Sequence, residues 1–228
     1  MPLFNNIMGL SDTYMPLLVL IAYLVLWRKI PKQERILFVY LVVNVVLFAI
    51  TNVLVYYKIY NLFLYHSYAL FELWIVTWYF IKVLLKKRLA IFFIISIVYT
   101  FFWILNIFLW EPLTVFNSNS AGFANLIILL LSMCYMLQLS KSDDLLHFQK
   151  LPSFWFASAF LTSCAISVLG VVVYKYYQFN LSSQQMETGL KIWLLQVAGN
   201  IIRFILIIFG LICYKRKPSS SISHYSFP

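Results

Sequence analysis

Two ionisable side chains stand deep inside long apolar stretches of this 228-residue chain, Glu72 and Arg203. A charge at the centre of a bilayer costs about 2.5–3.5 kcal/mol on insertion scales, so it persists where it is paired or has a task. Glu72 belongs to a polar stripe of Asn61, Tyr65, Tyr68, Glu72 and Tyr79, whose steps of 4, 3, 4 and 7 put all five on one helical face. His66 is one position off that face and, at 1.5 Å per residue, about 9 Å outward of Glu72. Arg203 closes a second stripe of Trp193, Gln196, Asn200 and Arg203, with steps of 3, 4 and 3. Both stretches run in the same direction through the membrane, so Glu72 and Arg203 fall at similar depth and are expected to pair, directly or through water. The pair either holds the bundle together or forms a site for a proton, an ion or a small ligand. The candidate site comprises Glu72, Arg203, His66, Tyr65, Tyr68, Asn200, Gln196 and Trp193, with Asn44 from another span.

Other chemistries lack their residues. A retinal Schiff base needs a lysine midway along the last span, where only Arg203 stands. Intramembrane hydrolysis needs paired carboxylates, a metal cluster, or a nucleophile with a base. Glu72 reads as the single buried carboxylate and His66 as the single intramembrane histidine, so neither enzyme activity nor a cofactor is expected. Cys134, Cys164 and Cys213 lie in or beside apolar stretches without CxxC spacing, which argues against zinc and a disulfide framework.

The elements that must position these residues follow from composition. Apolar residues make up 63% of the chain and charged residues 11%, against about 45–50% and about 25% in soluble domains. The expected fold is therefore all-α, a polytopic membrane bundle of seven transmembrane helices. The spans fall near Tyr14–Trp27, Ile36–Tyr56, Tyr60–Leu85, Leu89–Trp110, Ala121–Leu139, Pro152–Tyr174 and Gly189–Tyr214, with a disordered Pro218–Pro228 tail. The second span adds Tyr40, Asn44, Thr51 and Asn52, and the sixth adds Trp155, Ser158 and Thr162. Neutral polar residues of this kind commonly hydrogen-bond between helices simply to hold a bundle together.

Lysine and arginine set the orientation. Arg28, Lys29, Lys32 and Arg35 share one face with Lys82, Lys86, Lys87 and Arg88, with Lys141 and Lys150, and with Lys215, Arg216 and Lys217. Only Lys58, Lys175 and Lys191 lie opposite. This bias makes the first face cytoplasmic and the N-terminus external. The net charge of +10 is thereby explained by the membrane, and no nucleic-acid partner is expected.

The segment Tyr57–Phe80, with its Tyr-His-x-Tyr and Phe-Glu pattern, and the closing span Ile192–Leu206 resemble a seven-helix inner-membrane family of Gram-negative bacteria that has no assigned activity. Its closing helix carries a Trp and an Asn spaced as Trp193 and Asn200 are here, but often a His near the position of Gln196. The resemblance implies a sensory or accessory role beside a membrane or sensor-kinase partner. A small-solute or proton-coupled transporter using Glu72 is the alternative reading.

Overall fold

The computed structural model describes residues 2–141, 148–178 and 183–216, with side chains over 14–141, 148–171 and 194–215. Seven α-helices make up the described chain: α1 Pro2–Val25, α2 Ile36–Tyr56, α3 Leu62–Trp78, α4 Leu89–Leu109, α5 Ser118–Ser140, α6 Pro152–Gln178 and α7 Ser183–Arg216. No strand occurs among the described residues. The expected Pro218–Pro228 tail lies outside them.

Six of these segments are long and apolar enough to cross a membrane: 32–56, 62–84, 89–109, 118–140, 152–171 and 194–215. The apolar part of α1, Tyr14–Val25, is shorter. A buried backbone in hydrocarbon must satisfy its own N–H and C=O groups, and a helix does so within one segment. The side-chain pattern agrees. In α4 the buried residues are Ser96, Tyr99 and Asn106, whereas Ile94, Ile97, Val98, Phe101 and Phe108 are exposed. Polar side chains inside and apolar ones outside is the arrangement a lipid solvent imposes, and the protein is a multi-pass membrane protein.

Six helices close into a ring. α1 packs on α2, α2 on α3, α3 on α5, α5 on α6, α6 on α7, and α7 returns to α1. α4 stands outside this ring against α3 and α5. The α6–α7 seam is the tightest: a Cβ at Gly210 would sit 2.5 Å from the Phe156 ring, and one at Gly199 would sit 3.1 Å from Ile166. Small residues at such seams let backbones approach where no hydrophobic force drives helices together.

α3 does not end as an ordinary helix. Tyr79–Leu84 continues it as a π-helix, with Leu85 N–H reaching back to the Phe80 carbonyl at 2.8 Å. The wider turn turns Tyr79, Phe80, Ile81, Val83 and Leu84 all inward. The segment expected as a span near Tyr60–Leu85 thus runs on past α3 in this wider turn, apolar and long enough to cross a membrane over Leu62–Leu84. The π-helix packs against the 3-10 turn Lys32–Arg35 that leads into α2, which brings two basic connections to one end of the bundle.

Candidate functional site

The stripe on α3 points Tyr68 and Glu72 into the ring, and α7 points Arg203 at them from the opposite side. Arg203 Nη1 and Glu72 Oε1 lie 2.5 Å apart, with 4% and 7% of the two side chains accessible. Both hydrogens of Nη1 are placed, since Nη1 also donates to the Tyr40 hydroxyl at 2.8 Å. Arg203 Nε donates to Ser163 Oγ at 2.7 Å, and the guanidinium carbon stands 5.7 Å from the Phe160 ring centre. One arginine thereby ties α7 to α2, α3 and α6. A buried ion pair offsets its desolvation cost only with such additional hydrogen bonds.

The carboxylate is asymmetric. Oε1 lies 2.9 Å from the Tyr68 hydroxyl and 3.4 Å from that of Tyr40, besides Arg203. Oε2 accepts no hydrogen bond from the described residues. Tyr68 has one hydroxyl proton and two acceptors, Glu72 Oε1 at 2.9 Å and Asn44 Oδ1 at 3.1 Å. The Asn44 amide is oriented by its own Nδ2–H, which donates to the Tyr40 carbonyl at 2.8 Å, so its oxygen must face Tyr68. The centre therefore has a proton donor that can serve either of two acceptors.

Glu72, Arg203, Tyr68 and Asn44 come together as a group, and none of the remaining candidates with a described side chain hydrogen-bonds to it. Gln196 instead donates to Ser167 Oγ at 2.6 Å, joining α6 to α7. Asn200 is half-buried, without a hydrogen bond to the described residues. The Trp193 side chain lies outside the described residues. Tyr65 is exposed, its ring 6.3 Å from Phe116.

His66 belongs to a second polar cluster, around the α4–α5 connection. Its Nε2 lies 2.9 Å from the Val115 carbonyl, which can only accept, so Nε2 carries the proton and the buried Nδ1 is left without a partner. Trp103 Nε1 donates to the His66 carbonyl at 2.9 Å, and Asn117 Nδ2 to that of Tyr65 at 2.8 Å.

At the heart of this cluster is Glu111, which corrects the reading of Glu72 as the only buried carboxylate. Glu111 is 5% exposed. It accepts from the Ser118 hydroxyl, from Asn106 Nδ2 at 3.1 Å and from the Asn119 N–H at 2.8 Å. A carboxylate held at the start of α5 faces the positive end of that helix. Its position after Trp110 reads in sequence as a connection outside the membrane, and only the fold back over α4 buries it.

Tyr40 and Ser163 are members of the central group that the sequence leaves out of the candidate site. Tyr40 had a signal, lying one helical turn before Asn44 on the same face. Ser163 had none: Ser158 and Thr162 are equally polar neighbours in the same span. Among the described residues no group of three or more His, Cys, Asp or Glu side chains is placed to hold a metal.

No family model matches the chain, and neither the curated proteins nor the solved structures contain a match.

Proposed function

We propose that this is a seven-span protein of the cytoplasmic membrane, N-terminus outside and C-terminus inside, of sensory or accessory type, working through a membrane or sensor-kinase partner. The observation that carries the reading is the Arg203 centre, where one guanidinium holds side chains of α2, α3 and α6 at once. A change of proton or ligand at Glu72 redistributes the hydrogen bonds of four helices together. Helix ends on the basic face then deliver that change to a partner. The basic bias of that face supports the orientation, and the resemblance to the Gram-negative seven-helix family supports the class of role.

The test is chemical crosslinking and affinity isolation from native membranes, comparing the wild type with Glu72→Gln. Support consists of one membrane protein or kinase recovered with the wild type, and recovered in altered yield with the variant. Clean isolation without a partner, together with solute flux in liposomes, overturns the reading. C-terminal reporter fusions that place the end outside overturn the topology separately.

One observation favours a second reading, a small-solute or proton-coupled transporter. Glu72 is an intramembrane carboxylate whose Oε2 is not engaged by any described donor, and ionisable residues at such depth mark ion and proton pathways. Uptake in liposomes that persists unchanged in Glu72→Gln removes Glu72 from such a mechanism.

A further inference from the structure

The structure assigns an anionic phospholipid to the groove between α1 and α2 at the basic end of the bundle. The groove has a volume of about 400 Å³ and is lined by Leu24, Val25, Trp27, Arg28 and Phe38. Leu24 and Val25 are 51% and 79% exposed, so the groove opens sideways, where a multi-pass membrane protein meets lipid.

The groove is built rather than incidental. The lining rings of Trp27 and Phe38 meet edge-on at 5.1 Å, and the buried Tyr23 ring backs both at 6.1 and 6.0 Å. The Arg35 guanidinium lies 4.5 Å over the Trp27 ring, which fixes the indole and adds a positive charge behind it. The Tyr23 hydroxyl donates to the Glu34 carbonyl at 2.9 Å and holds the turn against α1.

Charge identifies the occupant. Arg28 lines the groove and is exposed, Lys29 next to it in the chain is exposed as well, and Arg35 stands over the lining Trp27 ring. No carboxylate lines the groove. Apolar walls for acyl carbons under a cluster of cations suit a lipid with a net negative headgroup over a zwitterionic one. The occupant is a membrane lipid rather than free phosphate, because three of the five lining residues, Leu24, Val25 and Phe38, offer an anion only hydrocarbon, and a fourth, Trp27, adds a single indole N–H to a mostly apolar ring. The inference rests on the membrane placement of the helices and not on the sensory reading.

The test uses the full chain in neutral detergent, titrated with phosphatidylglycerol, with phosphatidylcholine of the same acyl chains, and with inorganic phosphate. Retained lipid is counted by native mass spectrometry. The expected result is retention of phosphatidylglycerol over phosphatidylcholine by the wild type and no competition from phosphate. Arg28→Ala lowers that preference by about fivefold, the effect of one cation near a headgroup, and Arg28→Lys keeps it. Val25→Trp fills the groove and releases the lipid without changing charge. Lys141→Ala, which removes an exposed cation from the α5 end, changes nothing. Equal retention of the two lipids by the wild type overturns the proposal, as does an equal loss in Lys141→Ala. A Val25→Trp variant that loses an oligomer while keeping its lipid also overturns it, and gives the groove to a second copy of the chain.

Discussion

Arg203 meets Glu72 end-on, through Nη1 and Oε1 alone at 2.5 Å, and not through the two-pronged fork that a guanidinium offers a carboxylate. The guanidinium directs its other described bonds elsewhere, Nε to Ser163 Oγ and Nη1 also to the Tyr40 hydroxyl. The pair thus gives up pairwise strength to reach more helices. The two residues are 131 positions apart, and their helices stand across the ring from one another.

Breaking this pair from either side is expected to be severe. Glu72→Gln and Arg203→Gln each lower stability by about 3–5 kcal/mol, the usual cost of leaving one buried charge without its partner. The double variant recovers a large part of the summed loss. Thermal unfolding in detergent, read as a double-mutant cycle, checks this. Single variants with unchanged or raised stability mean that the charges are kept at a cost for function.

Tyr68→Phe removes the hydroxyl shared between Glu72 and Asn44 and is expected to cost about 1–3 kcal/mol, because both acceptors are buried. Asn44→Leu removes the competing acceptor and leaves Tyr68 committed to Glu72. The two changes are expected to be non-additive by at least about 0.5 kcal/mol in the same unfolding measurement. Simple additivity rejects the idea of one proton serving two acceptors.

At the α6–α7 seam, Gly210→Ala drives a methyl to 2.5 Å from the Phe156 ring. That ring is 1% exposed and is packed against Tyr79 and Tyr214, so it has little room to yield. A loss of about 1–3 kcal/mol is expected from overpacking. Phe156→Leu in the Gly210→Ala background restores part of it, whereas Phe156→Leu alone is destabilising. The comparison of melting midpoints decides the point.

Glu111→Gln keeps the shape of the side chain but replaces one accepting oxygen with an amide that cannot accept from Ser118 or Asn119. Stability is expected to fall by about 1–3 kcal/mol. The loosening is local, so hydrogen exchange at the Asn119 amide should accelerate more than exchange in α6. Uniform acceleration through the bundle contradicts the assignment of Glu111 to that connection.

The pattern of long apolar stretches was legible because the bilayer sets both helix length and the polarity of each face. The depths of Glu72 and Arg203 were legible for the same reason, since residue count along a helix converts directly to distance. What periodicity cannot give is the partner of each face. Tyr65 and His66 sit within one turn of Tyr68, yet their bonds go to the 111–117 connection and not to the charged centre. The fold of that connection depends on Glu111 and its donors, a long-range arrangement without a repeating signal. The π turn at Tyr79–Leu84 was hidden for another reason: its residues are as apolar as those of any α-helix, and only the hydrogen-bond offset tells the two apart.

The ring closes where α1 meets α7, so a helix made early, Pro2–Val25, rests on one made much later, Ser183–Arg216. Arg203 likewise enters the membrane long after Glu72, Tyr40 and Asn44 are in place. Until α7 is inserted, a carboxylate and its hydroxyl neighbours face an incomplete interior with no counter-charge. The polar interior is therefore completed only once α7 is inserted, and chains cut short before residue 203 leave Glu72 and its hydroxyl neighbours as a mark of an unfinished bundle.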